Sequence, residues 1–218
     1  MAEGEIPGRL VTQFIGYTLL LGVALCVTLF QCFLTAQLAR PRSAGTVRML
    51  APVALGFAGL LIFRPPSLLL SNTAVLVISA VGARWLAGIL RGEGAVFAFS
   101  MAASVADIVS FFAGPTRHLL DGAETGPGSV VSYLAFSIPV GGSVLPLLGA
   151  ADLLFVGVYF LVLRALGATV PTAVALPTLG MLLAMAVGLW LGGVPGIPFL
   201  AGVSVAYLLF RTRVRRTG

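Results

Sequence analysis

The stretch Leu145-Pro146-Leu147-Leu148-Gly149-Ala150-Ala151-Asp152-Leu153-Leu154-Phe155 sets a carboxylate, Asp152, into an otherwise apolar run. The next base downstream is Arg164, about three helical turns away, so no neighbour in sequence neutralises the acid. An ionisable side chain at membrane depth is costly, and it points to function by default. Working outward, the partner that the chain offers is Asp107, in the preceding apolar run.

The surrounding composition explains why that run belongs in a bilayer. The chain has 218 residues, of which 59% are hydrophobic and 9% charged, with a mean hydropathy of +1.08. This balance predicts an all-α, polytopic helical membrane protein, a single transmembrane domain over 1–218. The net charge is +6 and all thirteen basic residues are Arg. They sit at the edges of apolar runs and in the tail Arg211-Thr212-Arg213-Val214-Arg215-Arg216, which is a topology signal with attraction to the lipid bilayer and not a nucleic-acid face. Cys26 and Cys32 are six residues apart in the first run and read as small buried hydrophobes. One His and two Cys make a zinc site improbable. The N-terminus Met1-Ala2-Glu3-Gly4-Glu5 lacks the basic segment of a signal peptide, so the first run reads as a retained span.

Runs long enough to cross fall at 11–36, 47–63, 66–90, 94–113, 143–166, 170–191 and 196–210, about seven transmembrane helices. The spans of 11–90 form an N-terminal scaffold, and 94–210 a core interrupted by an outer loop at 114–142. With the N-terminus outside, the cytoplasmic side collects Arg40, Arg42, Arg48, Arg91, Arg164 and the tail arginines, with Arg84 snorkelling toward it. The outer side keeps Arg9, Arg64 and Arg117. This bias predicts an integral membrane protein with a cytoplasmic C-terminus.

Depth brings the two acids together. Asp107 lies six residues before the outer end of its run, roughly 9 Å below the surface, and Asp152 about nine residues after its outer start, roughly 13 Å. The two spans run antiparallel, so the carboxylates share one level in the outer half of the bilayer. Two facing carboxyls in a low-dielectric site cannot both ionise cheaply and share a proton. Such a pair suits acid–base hydrolysis, one member accepting a proton from water while the other donates to a carbonyl oxygen.

The residues around the acids extend the pattern. Ala106-Asp107 is followed by Gly149-Ala150-Ala151-Asp152 and, after one further span, by Pro195-Gly196-Ile197-Pro198. In order and spacing this set resembles the presenilin and signal-peptide-peptidase family of intramembrane aspartyl proteases, with its Tyr-Asp, Gly-x-Gly-Asp and Pro-Ala-Leu-Pro motifs. Gly114-Pro115-Thr116-Arg117 is similar to the Gly-Pro-x-Arg that follows the first acid in presenilins. The resemblance covers roughly 66–210. It implies a presenilin-like C-terminal core and an Asp107/Asp152 dyad. It also implies a substrate-binding surface of Gly149, Ala151, Pro195, Gly196, Ile197 and Pro198, a transmembrane-helix or leftover signal-peptide substrate, and no metal or organic cofactor. The chain departs from the family at Ala106 for Tyr, at Ala151 for Gly, and at Gly196-Ile197 for Ala-Leu. The methyl of Ala151 is expected to intrude where the family keeps backbone bare. Three spans precede Asp107 where the family has five.

Further features stand apart from the motifs. Pro195 and Pro198 break the start of the last run and leave backbone carbonyls there without helical partners, which is tolerated only where such backbone lines a cavity or is covered by protein. Ser129 to Ser137, within the apolar piece 129–140, is the best strand candidate and a place where an extended substrate can add a strand; a re-entrant or interfacial segment is the alternative. His118, Asp121 and Glu124 read as solvated loop residues. From chemistry alone, two further functions remain open: a proton- or cation-coupled transporter using the paired aspartates, and a catalytically inactive family member that binds membrane helices.

Overall fold

A computed structural model describes residues 6–39, 67–114, 134–140, 143–191 and 193–217. The expected span at 47–63 lies outside the described residues, as do Pro115-Thr116-Arg117, His118, Asp121, Glu124 and the first part of the strand candidate, 129–133. In chain order the described elements are helix α1 (Ile6–Ala39), α2 (Leu68–Ile89), α3 (Glu93–Ala113), strands β1 (Ala135–Val140) and β2 (Ser143–Gly149), and helices α4 (Ala150–Ala165), α5 (Val170–Leu191) and α6 (Ile197–Thr217).

Five of these helices are long and apolar enough to cross a membrane: Ile15–Ala39 within α1, then α2, α3, α5 and Ile197–Val214 within α6. Their sequences are apolar around most of the circumference, as a helix immersed in lipid requires, and large side chains such as Leu19, Trp85, Phe97, Phe112 and Trp190 remain exposed on the bundle surface. The molecule is thus a helical membrane protein. Two turns rest on glycine: Gly92, between α2 and α3, and Gly167, between α4 and α5, both have φ +85°, a region that side chains with a Cβ rarely occupy. Pro177 lies inside α5 and is buried there.

The short α4 is the hub. It packs against α1, α2, α5 and α6, while α3 packs mainly against α6. Its inward residues Leu153, Val156, Val158, Tyr159 and Leu163 form the centre of the core with Ala83, Ala173 and Leu200. Close approach depends on small residues, as is general for helices in lipid. A methyl added at Gly157 would fall 2.7 Å from the Ala83 Cβ and 2.9 Å from the Thr35 Oγ1, and one at Gly180 2.8 Å from the Leu200 Cα. Polar links thread the same core. The Tyr159 hydroxyl donates to Ser100 Oγ at 2.8 Å, joining α4 to α3, and Ser100 donates onward to the Val96 carbonyl at 2.7 Å. The Phe99 and Phe155 rings stack beside this link at 5.3 Å. Of the two cysteines, Cys32 is buried as expected and Cys26 is exposed.

The expectation of a purely helical chain is corrected at one place. The apolar run 143–166 is not one helix: its first seven residues are strand β2, and α4 begins only at Ala150. An apolar run does not by itself distinguish a buried strand from a helix. Here Pro146, which would remove a helical hydrogen bond, favours extended chain. The strand candidate at 129–137 is borne out in part and displaced: the strand is Ala135–Val140, paired antiparallel with β2 from Ala135↔Gly149 to Val140↔Ser143. An irregularity between Phe136 and Ser137 skips one β2 residue, so that Phe136 faces Leu148 and Ser137 faces Pro146, a bulge that bends the ribbon.

A two-stranded ribbon is marginal alone, and α2 holds this one. The Asn72 amide behaves like a piece of strand: its Nδ2 donates to the Ser137 carbonyl at 2.7 Å and its Oδ1 accepts from the Ser137 N–H at 2.8 Å. One helical stretch further along α2, the Ser79 hydroxyl donates to the Ala150 carbonyl at 2.9 Å, fixing the point where β2 turns into α4.

Candidate functional site

The junction of β2 and α4 positions Asp152. Gly149 is the N-cap residue of α4 and Asp152 is the third residue of the helix, and its Oδ2 accepts from the Gly149 N–H at 3.1 Å. This is the acidic half of a capping box. The expectation that Asp152 sits well inside a long helix is therefore corrected: it lies in the first turn, because the preceding residues are strand. A side-chain carbon at Gly149 would fall 3.0 Å from the same Oδ2, so the glycine gives the carboxylate room to fold back on its own backbone.

Asp107 stands two helical turns before the end of α3. Its Oδ2 accepts from the Ile197 N–H at 2.9 Å, and the Gly196 backbone adds a further contact. Ile197 is the first residue of α6, and a helix begins with N–H groups that have no intrahelical partner. Pro198 follows at a position where its missing N–H costs nothing and its fixed φ suits the first turn. The expectation for this segment is of carbonyls freed at the Pro195–Pro198 break; the group the structure puts to use is instead a donor, the Ile197 N–H.

Gly196 joins the two halves. A side-chain carbon there would lie 2.5 Å from Asp152 Oδ1 and 3.2 Å from its Cγ, so the Asp152 carboxylate rests against the bare Cα of Gly196. The next residue donates to Asp107. The segment Pro195-Gly196-Ile197-Pro198 thus lies between the two acids, and the carboxylates are within Coulombic reach of one another. The level match expected from residue counting is met, although by a different path: α3 reaches the level from one side, and a strand followed by a first helical turn reaches it from the other. Both acids are half-buried, and both accept from the start of a helix, where the macrodipole favours negative charge.

The remaining expected residues divide. Pro195 and Pro198 are half-buried on either side of the buried Ile197. Ala151 is exposed, as is Ala106, so the methyl at 151 is not packed into the described core. Residues with no signal in the motifs complete the surroundings. Phe111, one turn beyond Asp107, would stand 3.4 Å from a Cβ at Gly193, whose φ is +127°. Asn72 and Ser79 clamp the hairpin and the α4 start. A polar residue in an otherwise apolar span was the available signal for both, but their partners lie 65 and 71 residues away.

Beside Asp152 opens a cavity of about 320 Å³, walled by β2 and reaching Met181 and Met185 of α5 and Leu20 of α1. Among the described residues no three His, Cys, Asp or Glu side chains come together as a metal-binding group. Chemically the arrangement offers two oxygen acids near one another, each restrained by backbone donors at a helix start, next to a largely apolar hollow. Comparison of the chain with protein-family models, with curated proteins and with solved structures found no match.

Proposed function

We propose that this chain is an intramembrane aspartic endopeptidase of the presenilin and signal-peptide-peptidase type, with Asp107 and Asp152 as its dyad. The observation that carries the proposal is the meeting of three segments far apart in sequence. Asp107, the Gly149–Asp152 turn and the Gly196-Ile197 backbone form one cluster, and these are the segments whose motifs resemble that family.

The reaction is hydrolysis by activated water. One carboxylate accepts a proton from water while the other, protonated, donates to the scissile carbonyl oxygen. The hydroxyl adds to the carbonyl carbon to give a tetrahedral diol. Collapse breaks the C–N bond: one carboxyl gives its proton to the departing amide nitrogen while the other carboxylate takes a proton from a diol hydroxyl, leaving a carboxylic acid and an amine. The two carboxyls end with the one proton they began with, and no covalent enzyme intermediate forms. The Ile197 and Gly149 N–H groups are positioning donors: they hold one oxygen of each acid and leave the other for water and substrate. The β1–β2 ribbon, whose second strand runs into the Asp152 turn, is the natural support for a substrate segment unwound into extended form.

The finer topology belongs to the same proposal. Seven spans, counting 47–63 and the α4 segment, set the N-terminus outside and the C-terminus in the cytoplasm. The arginine distribution supports this orientation: Arg91, Arg164, Arg211 and Arg213 fall near the helix ends remote from the acids. The substrate is a transmembrane helix or a leftover signal peptide, taken from the bilayer.

Reconstitution with a membrane-helix reporter tests the proposal. Asp107→Ala and Asp152→Ala are each expected to abolish cleavage, by at least about a thousandfold given what acid–base and electrostatic groups contribute together, with the proteins still folded by circular dichroism. Cleavage that persists in either variant rules out the dyad. Proton-coupled flux in the same vesicles, lost in the Asp→Asn variants without any proteolysis in the parent, would establish a transporter instead.

A further inference from the structure

Two of the 21 residues of α3 are buried, Val96 and Ser100. Both belong to one polar link: the Tyr159 hydroxyl of α4 donates to Ser100 Oγ, which donates to the Val96 carbonyl. The link bridges helices that otherwise meet little. The main packing partner of α3 is α6, and α3 reaches α4 by long side chains, the Tyr159 phenol and the stacked rings of Phe99 and Phe155. Its place relative to the acids is regular. Seven residues separate Ser100 from Asp107, and seven separate Asp152 from Tyr159. Seven residues make close to two helical turns and about 10 Å of rise, so on each helix the acid and the hydroxyl share nearly one face. The helices run antiparallel. A hydrogen bond at one level therefore sets both acids at a common level two turns away.

We propose that Tyr159 and Ser100 are positioning residues for the dyad: their hydrogen bond fixes the rotation and register of α3 against α4, and with them the spacing of Asp107 from Asp152. The inference rests on the aspartic endopeptidase proposal. The contacts with α6 do not set this spacing by themselves. They tie α3 near both ends, through Ile197 to Asp107 and through Thr212 to Glu93. That leaves α3 free to roll about the α6 seam while Asp152 stays with α4. Apolar contacts resist such rolling weakly in a bilayer, because lipid is as apolar as the helices. A hydrogen bond holds only within a narrow range of distance and angle, and a single buried polar pair can specify register between helices. The chemistry has need of this, since a misplacement of about 1 Å in a reacting group can cost about a hundredfold in rate.

The test uses the full chain in proteoliposomes with one reporter helix. Tyr159→Phe removes the link alone: Ser100 keeps its bond to the Val96 carbonyl, so the variant is expected to accumulate as the parent does. Its kcat is expected to fall by about tenfold to a hundredfold, with KM within about twofold of the parent's. Ser100→Ala should lose as much, the double variant no more than either single one, and Ser100→Thr, which retains a hydroxyl, should keep most of the parent's rate. Spin labels at Ala113 of α3 and Ala151 of α4, in a Cys26→Ser, Cys32→Ser background, read the spacing directly. Their distance distribution is expected to shift or broaden in Tyr159→Phe and to match the parent's in Ser100→Thr. An unchanged kcat in Tyr159→Phe, losses that add in the double variant, or an unchanged label distance each overturns the proposal. Absence of cleavage by the parent overturns the endopeptidase proposal instead, and the label distances then decide alone whether the link sets the spacing of the acids. Ser100→Ala strands the Tyr159 hydroxyl; should that variant fail to accumulate, Tyr159→Phe decides the question.

Discussion

At the scale of single residues, the site turns on what Gly196 lacks. Its Cα touches the Asp152 carboxylate, and the hydrogen that replaces a side chain there is what lets the acid lie between its own helix start and the α6 backbone. Gly196→Ala would place a methyl 2.5 Å from Oδ1, closer than any real contact, so the carboxylate must move. A displacement of that order in a member of the proposed dyad is costly, and cleavage is expected to fall about a hundredfold while the protein accumulates normally. Gly149→Ala brings a carbon to 3.0 Å from Oδ2, a clash that a small side-chain rotation relieves, and a milder loss is expected. Ala151→Gly should change the rate by less than about threefold, because Ala151 is exposed; a large gain there would show that its methyl does obstruct the site. Kinetics of the three variants on one reporter rank these effects. The motif around Asp152 singled out Gly149 and Ala151 from sequence, but it could not weigh them. Which methyl matters depends on the direction in which the carboxylate folds, and that is set by the N–H of Gly149 and the bare face of Gly196.

At the scale of elements, the β1 strand of the ribbon is tied to α2 by the Asn72 amide. Asn72→Ala leaves the Ser137 N–H and carbonyl without their partner at a place away from bulk water. An unsatisfied buried polar group costs about 1–3 kcal/mol, and two are exposed here at once. Hydrogen exchange at 135–140 is expected to speed up markedly in this variant, with the rest of the bundle little changed, and cleavage of a helical substrate should drop with it. Unaltered exchange in the ribbon would show that β2 alone suffices to hold β1. The helices were the legible part of the fold. Runs 66–90, 94–113 and 170–191 were read within two residues of the observed α2, α3 and α5, because an unbroken apolar run bounded by Gly, Pro or Arg leaves few choices in lipid. The ribbon was legible only as a candidate segment. Its second strand is as apolar as a helix, and the side chains that fix it, Asn72 and Ser79, act across more than sixty residues. The link from Tyr159 to Ser100 was hidden for the same reason.

At the scale of the whole molecule, acids and arginines divide the bundle into two ends. The α3 C-terminus, the β1–β2 ribbon and the α6 start gather near Asp107 and Asp152. The opposite end carries Arg164, whose Nη1 donates to the Ala168 carbonyl at 2.7 Å, and Arg211, which donates to the Leu166 carbonyl. Thr212 of α6 meets Glu93 at the start of α3 there, at 2.9 Å. The orientation proposed above makes this arginine end cytoplasmic. Single cysteines in a Cys26→Ser, Cys32→Ser background test it: a thiol at Thr217 should be reached by an impermeant reagent only after inside access is given, and one at Val140 from the outside directly. Labelling of both from the same side would overturn the assigned topology.

The brevity of α4 has a consequence for the supply of water. Its 16 residues rise only about 24 Å, against a hydrocarbon layer of about 30 Å. The rest of the depth is supplied by strand, since β2 runs straight into the helix. The first-turn N–H groups of α4, which have no helical carbonyl to pair with, therefore open beside Asp152. In the proposed reaction these donors would give water a foothold next to the acids.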